Sequence, residues 1–190
     1  MSSTKIESRY HQTLLELAHK AIDYGLEYGK EMAVHTEDFP PPLREHRATF
    51  VTLKIAGELR GCIGTLAAYR PLVEDVVGNA YAAAFSDPRF PAVIRKQLAN
   101  INISISILSP SEELVFKDES DLLDQLCPGT DGLILQDGVH RGTFLPSVWE
   151  SLPDKLHFLK QLKLKAGLPV DYWSDHIRVF RYTTQMIDHG

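Results

Sequence analysis

Isoleucine alternates with small polar residues through residues 100–107, and this pattern constrains the fold more tightly than any other segment. Successive side chains of a strand point to opposite faces, so a strict alternation places every isoleucine on one face. The other face is polar and carries Asn102, Ser104 and Ser106. We therefore predict a strand in a sheet whose apolar face must be covered by a second layer of structure.

Helical and hairpin patterns flank this strand on both sides. Apolar residues recur at helical spacing over residues 10–26, 71–85 and 154–166, and in the last of these Leu156, Leu159 and Leu162 are expected to face inward. Ser120 is expected to cap a further short helix. Turn residues separate strand patterns at 49–55 and 59–63, and again at 133–135 and 139–145, with a final strand at 177–183. Three consecutive prolines at 40–42 predict a stiff, extended connector.

These elements do not follow the repeated strand–helix–strand spacing of a doubly wound parallel sheet. We therefore predict an α+β fold in which antiparallel or mixed sheets pack with helices. The chain has 190 residues, of which 44% are hydrophobic and 24% charged, as expected for an ordinary globular protein. No apolar run is long enough to cross a membrane, and no apolar signal core follows the N-terminus, so we expect a cytoplasmic protein.

Charge and cysteine content limit the partners that the chain can have. A net charge of −5 weighs against general binding to nucleic acid. Four lysines are nevertheless close together late in the chain: Lys155, Lys160, Lys163 and Lys165. They could contact RNA, or they could form the solvated face of a helix. Cys62 and Cys127 are too few for a disulfide framework and are expected to be free thiols in a reducing compartment.

The segment Arg60-Gly61-Cys62 could support thiol chemistry. In an extended chain the guanidinium of Arg60 would lie beside the thiol of Cys62, and a nearby cation favours the nucleophilic thiolate. Gly61 and Gly64 lack a Cβ, so a ligand could approach the backbone amides. Alternatively, the glycines form a bulge or tight crossing and Cys62 is a small packing residue. The sequence leaves both interpretations open.

The hallmark Leu59-Arg60-Gly61-Cys62-Ile63-Gly64 resembles the signature of the AMMECR domain family, also called AmmeMemoRadiSam system protein A. Further blocks resemble the family in the same order, and the compact form resembles bacterial members: Asp87-Pro88-Arg89-Phe90, Ser104 to Pro110, Gly129-Thr130-Asp131-Gly132, Gly142 to Trp149, and Lys165 to Pro169.

The resemblance implies a single AMMECR domain over residues 1–190, built as two lobes of unequal size with a cleft between them. The N- and C-terminal parts would form the larger lobe, with the hallmark near the cleft. The resemblance also implies an association with a Memo-like protein and a radical S-adenosylmethionine protein. It supplies no reaction.

Other polar residues are candidates for binding a substrate, each with a structural alternative. Asp87 and Arg89 could orient a polar substrate or could end a helix with a local ion pair. Thr65 follows the hallmark, Ser104 could line the cleft or face solvent, and Asp131 could bind a ligand or shape its turn. We predict no metal site, because neither the histidines nor the cysteines have ligand spacing. Phosphate-loop and dinucleotide fingerprints are also missing, so no cofactor is expected.

The leading hypothesis is a protein that binds or processes a small anionic or modified substrate, with Cys62 as the catalytic group and Arg60, Gly61, Gly64, Thr65, Asp87, Arg89, Ser104 and Asp131 around the substrate. The alternative is a protein-interaction module in which exposed regions around Trp149 and Trp173 dock a partner. RNA binding by the late lysines is a third hypothesis.

Overall fold

The computed structural model describes residues 5–189, and the chain divides into two compact units. The first unit runs up to Ser109 and resumes at Gln185, and the second is Pro110–Thr184. The helices are α1 His11–Tyr28, α2 Pro41–Arg44, α3 Leu72–Phe85, α4 Glu119–Gln125 and α5 Lys155–Lys165. The strands are β1 Thr49–Ile55, β2 Glu58–Gly64, β3 Ile101–Leu108, β4 Glu112–Glu113, β5 Gly132–Asp137, β6 His140–Phe144, β7 Arg178–Tyr182 and β8 Thr184–Ile187.

The first unit contains a four-stranded sheet in the order β2-β1-β3-β8. β1 pairs antiparallel with both β2 and β3, and the isoleucines of β3 face the same core as Val51 and Leu53. Helices α1 and α3 cover that apolar face, since their own apolar stripes belong to the same core. The strand predicted from alternating isoleucines is therefore confirmed.

The side chain of Gln185, on β8, is bonded to the backbone of Ile6. Its amide nitrogen donates to the carbonyl oxygen of Ile6, and its amide oxygen accepts from the N–H of Ile6, both at 2.8 Å. Ile187 of the same strand is buried in the core of the first unit. An early and a late part of the chain thus complete one unit together.

The second unit contains another four-stranded sheet, in the order β4-β7-β5-β6. Its core includes Phe158 of α5, which stacks on Trp149 with ring centroids 3.6 Å apart. Gly142 on β6 allows α5 to approach closely, because a methyl group there would overlap Ala166. Helices and antiparallel sheets in both units confirm the predicted α+β class.

Two predictions about α5 were wrong because a solvated or inward face cannot be assigned from residue type alone. Lys163 is fully buried rather than solvated, and its ammonium lies 3.0 Å from the carboxylate of Glu119. Leu156 was expected to point inward but is 41% exposed, because Phe158 takes the buried position instead.

Trp149 was expected to be exposed, but it is buried and donates from Nε1 to the carbonyl of Asp131 at 2.8 Å.

Two helix starts also differ from the predictions, and one strand was missed. Residues 41–44 form α2 directly after Pro40, since proline is tolerated in the first helical turn, where no backbone donor is needed. Asp118, not Ser120, caps α4: its carboxylate accepts from the N–H of Asp121 at 2.9 Å, and an anion is favourable at a helix N-terminus. The last predicted strand, 177–183, is β7, whereas β8, which joins the sheet of the first unit, was not predicted.

Candidate functional site

Cys62, Thr52 and Ser104 lie in one row across strands β2, β1 and β3. Thr52 pairs with Cys62 on one side and with Ser104 on the other. The hydroxyl of Thr52 donates to the sulfur of Cys62 at 3.2 Å. All three residues are half-buried, on the face opposite to the buried Val51 and Leu53. We call this set the Cys62 row; it places the thiol on the polar face of the sheet and outside the hydrocarbon core.

The backbone of Cys62 is held from outside the sheet by Asp87 and Arg89. β2 is an edge strand, so the outward-facing backbone groups of Cys62 have no neighbouring strand. Asp87 accepts from the N–H of Cys62 at 2.9 Å, and Nη2 of Arg89 donates to its carbonyl oxygen at 3.3 Å. The two side chains stand in for a strand partner and block further pairing at this edge.

Asp87 and Arg89 also form a bidentate salt bridge with each other. Nη2 and Nε of Arg89 donate to the two carboxylate oxygens at 2.7 Å and 3.0 Å. The hydrogen bond from Arg89 holds the pKa of Asp87 well below its ordinary value; burial opposes the shift, and the N–H groups of Cys62 and Arg89 reinforce it. Both members of the pair are therefore ionised at neutral pH.

The pKa of the Arg89 guanidinium is raised, chiefly by its hydrogen bond to Asp87 and, to a smaller extent, by the charges of Asp87 and Cys62. Arg89 is thus a cation held at the backbone carbonyl of Cys62. Its side chain remains 55% exposed while that of Asp87 is almost entirely buried. The guanidinium can therefore meet a solvent-borne anion while it stays attached to Asp87.

Arg60, which the sequence placed beside Cys62, makes its polar contacts elsewhere. The register of β1 and β2 shifts between Leu53 and Lys54, and Arg60 is the extra residue of this bulge. A bulge interrupts the two-residue alternation on which the expected Arg60–Cys62 pair depended. Nη2 of Arg60 lies 3.3 Å from both the carbonyl of Ala92 and the amide oxygen of Gln97. Arg89, not Arg60, is the arginine that contacts Cys62, through the backbone carbonyl oxygen.

The two hallmark glycines make room for protein atoms. A methyl group on Gly61 would overlap the backbone carbonyl of Ala83, where α3 crosses β2. A methyl group on Gly64 would overlap the ring of Phe50 and the carbonyl of Thr49. The space that we expected a ligand to use at these positions is occupied by α3 and β1, which agrees with the structural alternative.

Thr65 belongs to a buried network centred on Asp75 of α3. The carboxylate of Asp75 is fully buried and accepts from the N–H and hydroxyl of Thr49 at 2.8 Å and 2.7 Å. It also accepts from the Thr65 hydroxyl at 2.9 Å, Nε of Arg70 at 2.8 Å and Nδ2 of Asn79 at 3.0 Å. The network joins α3 to the start of β1 and to the end of the hallmark.

Thr52, Asp75 and Asn79 were not among the site residues predicted from the sequence. A signal was present for the last two, because they lie four residues apart on one face of a helix rich in apolar residues, where isolated polar residues need buried partners. Thr52 could have been found only by knowing the hairpin register, which the bulge at Arg60 alters.

Asp131, the remaining predicted site residue, lies in the second unit and shapes a turn. Its carboxylate accepts from the N–H of Cys127 at 2.7 Å, and its own N–H donates to the Cys127 carbonyl. Within residues 5–189, no group of three or more His, Cys, Asp or Glu side chains could hold a metal ion. In the same range, no helix combines the length and apolar character required to span a membrane.

The fold and the hallmark together define a class: two-unit α+β proteins with a cysteine on the polar face of an edge strand, whose backbone is hydrogen-bonded by an aspartate and an arginine. The model of the AMMECR1 family matches residues 15–187, and the chain belongs to this family. The resemblance found in the sequence is thereby confirmed.

Relatives and a solved structure agree with this assignment. A protein of Methanothermobacter thermautotrophicus is 36% identical over 92% of each chain, and protein MK0488 of Methanopyrus kandleri is 38% identical over 92% of this chain and 86% of its own. The crystal structure of protein PH0010 from Pyrococcus horikoshii is similar with a TM-score of 0.88 and 35% identity, covering 96% of this chain and 93% of that one.

Proposed function

We propose that this chain binds or processes a small anionic or modified substrate on the sheet face that carries the Cys62 row. The observation that supports this most is the hydrogen bond from the Thr52 hydroxyl to the Cys62 sulfur. A donor aimed at sulfur stabilises negative charge there, and the thiolate is the nucleophilic form of cysteine. Ser104 supplies a second hydroxyl in the same row.

Arg89 supports an anionic substrate. Its Nε and Nη2 donate to Asp87, and the Arg89 side chain is 55% exposed. Guanidinium groups bind carboxylates and phosphates with strong, directional hydrogen bonds. In this proposal Arg89 attracts the anion and Cys62 is the group that contacts or reacts with it.

The proposal favours binding or transient thiol chemistry over hydrolysis with a histidine base. The polar partner of the Cys62 sulfur among residues 5–189 is the hydroxyl of Thr52, whereas cysteine hydrolases pair the thiol with a base. We further propose action in the cytoplasm, since Cys62 and Cys127 are both free thiols, as is typical of a reducing compartment. Association with a Memo-like protein and a radical S-adenosylmethionine protein rests on the family resemblance alone.

Metabolites that co-purify with the chain test the proposal. The native protein, Cys62→Ser and Cys127→Ser are purified in parallel under reducing conditions, and retained small molecules and covalent adducts are measured by mass spectrometry. We expect an anionic compound or adduct in the native and Cys127→Ser proteins that is depleted in Cys62→Ser. Identical profiles in all three proteins would overturn the proposal.

The partner component has its own test. The chain is co-expressed with the Memo-like and radical S-adenosylmethionine proteins of its own organism, and complexes are isolated under anaerobic conditions. We expect the three proteins to co-purify, and the retained compound to be consumed when S-adenosylmethionine and a reductant are added. Neither result would be expected of a chain that acts alone.

A further inference from the structure

A pocket of about 280 Å³ lies in the second unit and shares no residue with the Cys62 row. One wall is the segment from Glu113 to Lys117, which continues from β4, and the other runs from Trp173 to Arg178 at the start of β7. A volume near the lower end of the range for ligand pockets suits a small molecule or a single side chain.

The apolar walls of the pocket are aromatic. The ring centroids of Phe116 and Trp173 are 5.8 Å apart and the ring planes are tilted by 58°. Both side chains are only partly buried. Ile177 is buried beside them, and Val115 on the rim is 87% exposed. The arrangement offers a planar ring two aromatic neighbours and an apolar rim, a geometry that aromatic groups favour.

Both walls are fixed without a ligand. On one side, the Tyr172 and Ser174 hydroxyls donate to the carboxylate of Asp137 at 2.9 Å and 2.7 Å, which holds the loop on either side of Trp173. On the other side, Nε2 of Gln125 donates to the Val115 carbonyl at 2.9 Å. A preformed pocket requires little ordering when a ligand binds.

Of the four charged residues that line the pocket, two form an ion pair with each other. Arg178 donates from Nε and Nη2 to the two carboxylate oxygens of Glu113 at 2.7 Å and 2.8 Å, so these charges neutralise each other. Neither the ammonium of Lys117 nor the carboxylate of Asp175 has an ion-pair partner in the part of the chain that the structure describes. The lining therefore includes one cation and one anion that form no ion pair within residues 5–189, beside the ring pair of Phe116 and Trp173.

We infer that this pocket binds a small zwitterion with an aromatic or large apolar group, of the free amino-acid type. The ring lies against Phe116 and Trp173, the ligand carboxylate meets Lys117 and the ligand ammonium meets Asp175. An internal peptide segment carries neither terminal charge, so its side chain would use only the aromatic walls. This inference is independent of the function proposed for the Cys62 row.

The test follows the two tryptophan indole N–H signals of the full ¹⁵N-labelled chain by NMR, assigned with Trp173→Phe. Four probes are titrated: L-phenylalanine, 3-phenylpropionate without the amine, phenethylamine without the carboxylate, and N-acetyl-L-phenylalaninamide without either charge. We expect L-phenylalanine to shift the Trp173 signal saturably in the low-millimolar range and to bind roughly tenfold more tightly than the uncharged probe. The signal of Trp149, buried and bonded to Asp131, serves as the internal control.

Variants separate the two charges. Lys117→Met is expected to weaken L-phenylalanine and 3-phenylpropionate roughly threefold and to leave phenethylamine unchanged, and Asp175→Asn should do the converse. Lys96→Met and Asp124→Asn, exposed charges outside the pocket, are matched controls with no expected effect. The inference is overturned if no probe moves the Trp173 signal. It is equally overturned if the uncharged probe binds as tightly as L-phenylalanine, which would instead indicate a peptide side chain.

Discussion

The Asp87 carboxylate lies 2.9 Å from the backbone nitrogen of Cys62 and accepts its N–H, so a side chain takes the place of a strand at the edge of the sheet. The thiol of Cys62 is consequently carried on a backbone that is fixed from both sides, by β1 within the sheet and by Asp87 and Arg89 outside it.

Asp87→Asn should lower stability at neutral pH, and the difference should diminish in acid. The pKa of Asp87 is lowered in the folded state, so its contribution is fully present above the unfolded value of about 4 and is lost as the pH falls through the lower folded value. We expect a loss of about 1–2 kcal/mol near pH 7. Urea unfolding between pH 7 and pH 2 measures it, with the exposed Asp124→Asn as control. A difference that stays constant with pH would contradict the assignment.

Thr52→Val should slow the alkylation of Cys62 by iodoacetamide. Valine keeps the shape of threonine but removes the hydroxyl that donates to sulfur, and loss of one such hydrogen bond corresponds to roughly a fivefold slower reaction. Peptide mapping by mass spectrometry follows both cysteines, and the exposed Cys127 reports any general change in reagent or fold. An unchanged rate at Cys62 would show that the hydroxyl does not tune the thiol.

Among the glycine-to-alanine substitutions, Gly61→Ala should lower the stability of the fold most. Its methyl group meets the Ala83 carbonyl, a backbone atom that cannot turn away, so we expect about 3 kcal/mol of destabilisation. Gly29→Ala is the matched control: it has open space but a φ of 67°, and strain alone should cost about 1 kcal/mol. Thermal and urea unfolding of both variants distinguish steric overlap from backbone strain.

Ala56→Asn should stabilise the hairpin of β1 and β2. Ala56 and Gly57 form the two-residue turn with φ values of 51° and 81°, and asparagine tolerates this left-handed region better than alanine does. We expect a gain of about 0.5–1 kcal/mol in the free energy of unfolding. Gly57→Ala should act in the opposite direction, and equal effects of the two substitutions would contradict the turn geometry.

The ion pair of Lys163 and Glu119 should respond asymmetrically to substitution. Lys163→Met leaves a carboxylate that is 30% exposed and can be hydrated, so stability should change by at most about 1 kcal/mol. Glu119→Leu leaves a fully buried ammonium without its counterion and should cost about 3 kcal/mol. Chemical denaturation of the two variants measures the asymmetry, and a larger loss for Lys163→Met would refute it.

The sequence predicts best where one physical requirement dominates. Ile101 to Ile107 alternate because one face of β3 is buried, and that requirement leaves a pattern with a period of two. Asp87 and Arg89 were found as candidates, but their attachment to the backbone of Cys62 depends on where β2 lies after folding.

The Cys62 site itself was only partly predictable. The inserted Arg60 shifts the hairpin register, and an insertion of one residue leaves no periodic trace in so short a strand. The partner of the thiol, Thr52, is set by that register, so it could not be read from spacing alone. The roles of Gly61 and Gly64 likewise depend on how closely α3 and Phe50 approach.

The bond between Gln185 and Ile6 has a consequence for synthesis on the ribosome. The chain leaves the ribosome from its N-terminus, so β3 has no neighbour on its β8 side until residues 184–187 emerge. By that time the whole of Pro110–Thr184 has already been made. Because β7 and β8 both lie near the end of the chain, neither sheet is complete until synthesis is almost finished, although most of the first unit is made long before.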